Sequence, residues 1–130
     1  MARDEDDGLV NFINALFAML FHAYPDTVRA FIEDRSKDFD ERSEVMGEYL
    51  RDLYGLTLAC GDEVEIADTT GMNPADVTEM YWDVLGDYVI AFHLLLDNLY
   101  NRLDRRRAVD ELNSIRCDAL RDYVSQEVRI

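Results

Sequence analysis

Two histidines, two cysteines and a few closely spaced charged residues are the groups in this chain whose types could carry chemistry. His93 and Asp97 stand four apart, one helical turn, close enough to share a hydrogen bond or to ligate a metal. Carboxylate metal sites in helical bundles repeat a Glu-x-x-His unit on two helices, and the sequence contains no such unit. His93 therefore reads as a helix-edge residue held by Asp97, His22 as a residue at a packed boundary, and no metal is expected. Cys60 and Cys117 lie far apart, with no CxxC and no neighbouring histidine. They read as buried or idle thiols of a cytosolic protein rather than as a disulfide. Glu44, Glu48 and Asp52 form an acidic ladder, which reads as a solvated helix face rather than a cation site.

Arginine supplies the other chemistry. Arg105, Arg106 and Arg107 are the only basic cluster, with Arg102 just before it. Together with Thr78 they are the candidate contacts for nucleic acid or an acidic partner. The structural account places the same arginines in a helix-helix turn, paired with Asp104, Asp110 and Glu111 across one or two turns. Enzyme signatures are missing: there is no glycine-rich phosphate loop, no GxSxG, no HExxH and no Cys-His-acid set. The chain reads as a non-enzyme without a cofactor.

The elements that must position these groups are helical. Prolines occur only at positions 25 and 74, and no repeat or low-complexity linker interrupts the chain. The spacing predicts a first helix from Leu9 to Tyr24, preceded by an acidic leader and ended by Pro25. It is apolar on most sides, with Phe12, Leu16 and Leu20 on its main face. A short helix over Asp26 to Arg35 follows. A third helix is expected from Glu41 to Tyr54, with Asp40 as N-cap and Gly55 as its stop. Leu56 to Asp68 alternates like a hairpin but also suits a short helix, which is the favoured reading. Asn73-Pro74 is a helix start, and the apolar periodicity beyond it predicts a spine to Leu103. A last helix is expected from Arg106 to Val128. The spine's polar stripe is interrupted by Ile90 and Leu94, so it is apolar nearly all round from Tyr88 to Leu96, and Gly86 leaves room for a neighbour.

Residues Glu63 to Trp82, EVEIADTTGMNPADVTEMYW, resemble a helix-turn-helix motif. Ile66-Ala67 stand where the first helix packs, Gly71 at the turn, and Val77 and Met80 on the buried side of the second helix. Thr70 departs from the hydrophobic residue often found there. The resemblance covers about 20 residues, at the level of the motif and of no particular family. It implies that Ala75, Asp76, Thr78, Glu79 and Asp83 would face a DNA groove, yet residues 73–104 hold six acids and one base. DNA affinity rests largely on Lys and Arg neutralising phosphates, so nucleic acid is the disfavoured partner.

Composition sets the frame. Of 130 residues, 28 are acidic and 13 basic, giving a net charge of −15, and Lys37 is the sole lysine. Short carboxylates combined with arginine in place of lysine resemble proteins from salt-saturated cytoplasms, such as those of halophilic archaea. The acid coat is uneven: residues 1–72 carry −11, residues 73–104 carry −5 and the remainder +1. A hydrophobic fraction of 48% is ample for one core. The run from Leu9 to Tyr24 follows Arg3-Asp4-Glu5-Asp6-Asp7 and includes Asn11, Asn14 and His22, which suits neither a signal peptide nor a membrane span. The expectation is a single all-α domain of residues 1–130, five or six helices around the long spine. Its apolar surplus at Phe12, Leu16, Leu20, Ile90 and Leu94 would serve protein partners in a homo-oligomer or larger assembly. The setting would be a high-salt cytoplasm or a virion, where a head-tail connector is one form such a subunit takes.

Overall fold

The computed structural model describes residues 2–33, 39–60, 71, 73, 76, 77, 79 and 82–129, with the side chains of all of these but 2–7, 39, 60, 83 and 84. Among the described residues there are six helices and no strand, an all-α arrangement. The first, α1, spans Ala2–Ala23 and so begins seven residues before Leu9. The acidic leader is thus part of the helix, where carboxylates near the N-terminus offset the positive end of the macrodipole. Tyr24 alone separates it from α2, Pro25–Glu33, with the axis turned by 116°. Proline starts α2 where its missing N–H costs nothing, and the corner is closed by Tyr24 N–H to Leu20 O at 2.7 Å and Val28 N–H to Tyr24 O at 3.2 Å.

Both local signals expected to bound α3 are overridden, for it spans Phe39–Cys60. Asp40 lies in its first turn and Gly55 in its interior. The extra turn is held by tertiary contacts: Leu53 and Thr57 are buried, Thr57 Oγ1 donates to Leu53 O at 2.8 Å, and Tyr88 Oη donates to Leu56 O at 2.9 Å. Residues 56–60 are therefore helical rather than one arm of a hairpin; residues 61–68 lie outside the described residues. Burial, with the nearby Asp87 charge adding to it, pushes the Tyr88 phenol up to about 12.

The spine is α4, Trp82–Leu99. Residues 91–96 are all buried, as expected of a helix apolar all round, and α4 packs against α1, α3, α5 and α6. It ends four residues before Leu103 in a Schellman turn. Asn101 adopts φ 58°, and N–H groups of Asn101 and Arg102 reach back to Asn98 O at 3.1 Å and Asp97 O at 2.9 Å. Asparagine is one of the few residues besides glycine that tolerates this left-handed position.

The expected last helix is two. Helix α5 spans Arg105–Ser114 and α6 spans Asp118–Val128, with Ile115, Arg116 and Cys117 between them. The break is made from a distance. The Asp87 carboxylate on α4 accepts from the Arg116 N–H at 3.1 Å and the Cys117 N–H at 3.3 Å, while Ile115 is fully buried. Cys117 is disulfide-bonded, which corrects the expectation of an idle thiol there; the Cys60 side chain lies outside the described residues.

Phe12, Leu16, Leu20 and Leu94 all lie inside the single-chain core, which corrects their reading as partner contacts. Phe12 meets Tyr54 and Tyr88 at ring separations of 5.3 and 6.4 Å, and Phe17 meets Phe92 edge-on at 5.7 Å. Burying each Leu or Phe contributes about 1.5–3 kcal/mol, so α3, α5 and α6 absorb the surplus that the sequence seemed to leave over. No single described helix is long and apolar enough to cross a membrane.

Candidate functional site

A polar cleft around His93 and a larger groove lined by Tyr24 are linked by the stack of Tyr24 on His93. The polar one is a cleft of about 110 Å³ lined by His93, Asp97, Arg102, Asp104, Arg107 and Glu111 among others. His93 sits on the buried side of α4 at 5% exposure, not at a helix edge. Its Nε2 lies 3.1 Å from Asp97 Oδ2, one turn along the same helix, and its Nδ1 lies 3.1 Å from Glu111 Oε2 on α5. The second oxygen of Glu111 accepts from Arg107 Nε at 3.3 Å. The Tyr24 ring stacks on the imidazole with centroids 3.9 Å apart and planes 3° from parallel. Burial disfavours the charged ring, but hydrogen bonds and charges of Asp97 and Glu111 outweigh it and hold the His93 pKa above its ordinary value. Burial and the Glu111 charge likewise raise the Tyr24 phenol.

With both ring nitrogens engaged, His93 has neither a lone pair nor an uncommitted N–H to offer a substrate or a metal. Among the described residues no group of three or more His, Cys, Asp or Glu side chains could hold a metal ion.

The second cavity is a partly open groove of about 350 Å³ that Tyr24 lines. Its lining includes Met19, Ala23, Trp82, Gly86, Asp87 and Ile90. Of the five expected interface residues, only Ile90 reaches such a surface. Trp82, the single tryptophan, is 50% exposed at its edge, whereas scattered exposed apolar residues are ordinary and a half-exposed Trp beside an apolar hollow is not. A Cβ built on Gly86 meets nothing within 4 Å, so the floor is open there. Among the described residues the one carboxylate lining it is Asp87, which is occupied by the backbone N–H groups of Arg116 and Cys117 and by Arg116 Nε at 3.9 Å.

The arginine cluster is spread rather than convergent. Asp104 caps α5 by accepting from the N–H groups of Arg106 and Arg107, Arg107 pairs with Glu111, and Arg105 and Arg106 are exposed. The pairing expected with Asp110 is absent among the described residues. The Arg102 guanidinium lies 4.8 Å from the Tyr100 ring centroid, and Arg42, buried, lies 4.2 Å from the same centroid. Among the described residues Arg42 Nε and Nη1 have no hydrogen-bond partner, and the ring face offsets part of the cost of desolvating that charge. Thr78 and most of the helix-turn-helix segment lie outside the described residues; within it, Asp76 and Glu79 are exposed. His22 is exposed rather than at a packed boundary, and Glu44, Glu48 and Asp52 are exposed along α3, with Asp52 accepting from Tyr123 Oη at 2.9 Å.

Sequence reasoning missed Glu111, Tyr24, Asp87 and Trp82. Only the four-residue spacing of Arg107 and Glu111 signalled anything; the rest of the constellation joins residues that the chain folds together from separate helices. No family model, curated protein or solved structure matches this chain.

Proposed function

We propose that this chain is a non-enzymatic interaction or assembly subunit that docks a protein partner, a second copy of itself or a neighbour in a larger complex, in the groove between Trp82 and Ile90. The observation that carries this reading is an apolar hollow of about 350 Å³ with the half-exposed Trp82 at its rim. Among the described residues its one lining carboxylate, Asp87, is already engaged, so docking there does not bury that carboxylate unpaired. The engaged nitrogens of His93 support a non-catalytic role. The salt-adapted composition supports a high-salt cytoplasm or a virion as the setting, and a head-tail connector as one form of such an adaptor.

Light scattering in molar KCl tests the reading. The wild-type protein is expected to run as an oligomer or with a copurifying partner, and both Trp82→Ala and Gly86→Leu to reduce it to a monomer. Gly86→Leu fills the groove without removing a core contact. A wild-type protein that is strictly monomeric and partnerless overturns the proposal.

A second reading, a helix-turn-helix regulator, draws on Arg105 and Arg106, which are exposed and form no ion pair among the described residues. It predicts a gel shift lost on reversing both charges, and fails if the shift is absent or indifferent to the reversal.

A further inference from the structure

We propose that protonated His93 is a clasp that pins the corner between α1 and α2 onto α4 and α5, and that loss of its proton releases Tyr24 and reshapes the groove, making docking proton-linked. The link to docking rests on the function proposed above; the clasp itself does not.

The contacts fix the charge state. Both carboxylates accept and neither donates, whereas a neutral imidazole has one N–H and one lone pair. Contacts of 3.1 Å at both Nδ1 and Nε2 are therefore satisfied together only by the imidazolium. A neutral ring would turn one lone pair against a carboxylate around a side chain that is itself buried, where an unpaired polar group is costly.

Each element around the ring contributes a named group. The α1–α2 corner supplies Tyr24, α4 supplies Asp97, and α5 supplies Glu111 and Arg107, while Arg102 and Asp104 line the cleft from the α4–α5 connection. Three cations then balance three carboxylates, and deprotonation leaves the cleft negative inside an already acidic molecule. The parallel Tyr24 stack is a cation–π contact only while the ring is charged. Tyr24 is the sole non-helical residue between two helices; backbone hydrogen bonds to Leu20 and from Val28 fix its main chain, the imidazole stack fixes its ring, and the same residue lines the groove. The clasp is fully formed below the ordinary histidine value of about 6.5 and opens as pH rises through the higher folded value.

The test follows His93 and Trp82 together in molar KCl. Ring C–H chemical shifts between pH 5.5 and 9.5 are expected to give a His93 midpoint above about 6.5, and Trp82 emission to move with the same midpoint. His93→Gln, which cannot carry the charge, should abolish that emission step; Glu111→Gln, which keeps the contact but removes one charge, should lower the His93 midpoint while circular dichroism stays native. A His93 midpoint at or below about 6.5, or an emission step that survives in His93→Gln, overturns the clasp. Assembly that depends on Trp82 but is unchanged across the His93 midpoint overturns the linkage and leaves the docking function standing. Assembly indifferent to Trp82→Ala, with the coupled transition intact, removes the docking function and leaves the clasp.

Discussion

Asp87 shows how one buried carboxylate can place a loop. It lies on α4, is 9% exposed, and accepts the N–H groups of Arg116 and Cys117, the residues that separate α5 from α6. Removing it leaves two donors unsatisfied at a packed junction, each worth about 1–3 kcal/mol when orphaned. Asp87→Ala is therefore expected to lower the unfolding free energy by about 2 kcal/mol or more, read as a fall in the urea midpoint with an unchanged slope. Asp87→Asn keeps an accepting oxygen and should lose less than half as much. Equal losses for both variants would show that the charge on Asp87, not its acceptor geometry, holds the break. In the sequence Asp87 is one acid among 28, on a stripe that reads as solvated. Its role depends on α5 and α6 turning back onto α4, which spacing along a single helix does not encode. His93 is the intermediate case: its tie to Asp97 was legible as a four-residue spacing, while Glu111, 18 residues away, became a partner only through packing.

Helix existence followed from apolar periodicity, and helix ends did not. The spine was legible because residues 88–96 are apolar on nearly every side, a pattern that suits a central helix. Asp40 and Gly55 carried the residue types of a cap and a stop, but Leu53, Thr57 and Tyr88 hold α3 together past Gly55, and packing outweighs a propensity difference of about 1 kcal/mol. The glycine then becomes a stability reserve. It is exposed in the helix interior, and a Cβ there meets nothing within 4 Å, so Gly55→Ala is expected to stabilise the protein by about 0.5–1 kcal/mol. Chemical denaturation checks this, and a destabilised variant would mean that the helix is not continuous through Gly55 in solution. The turn after α4 behaves in the opposite way: its cap is Asn101 with a positive φ, a signal present in the sequence but hidden because Leu103 continued the apolar rhythm.

At the scale of the molecule, the acid coat and the core make opposite demands. The core is closed by α1, α3, α5 and α6 packed around α4, with α2 packed on α1, so collapse does not depend on salt for its driving force. The net charge of −15 opposes that collapse, since like charges on a chain of this size repel through dilute buffer over about 10 Å or more and over only ~3 Å at molar salt. Among the described residues, arginine–carboxylate pairs include Arg107–Glu111, Arg116–Asp87 and Arg121–Asp118. Because acids outnumber basic residues 28 to 13, screening the excess charge should stabilise the fold. The melting temperature is therefore expected to rise between low and multi-molar KCl. Repeating the measurement with an equal ionic strength of a different monovalent salt separates screening from specific ion binding, since screening alone gives the same rise. A flat or falling melting temperature would mean that the carboxylates do not govern stability, and the reading of the composition as an adaptation to salt would fail with it.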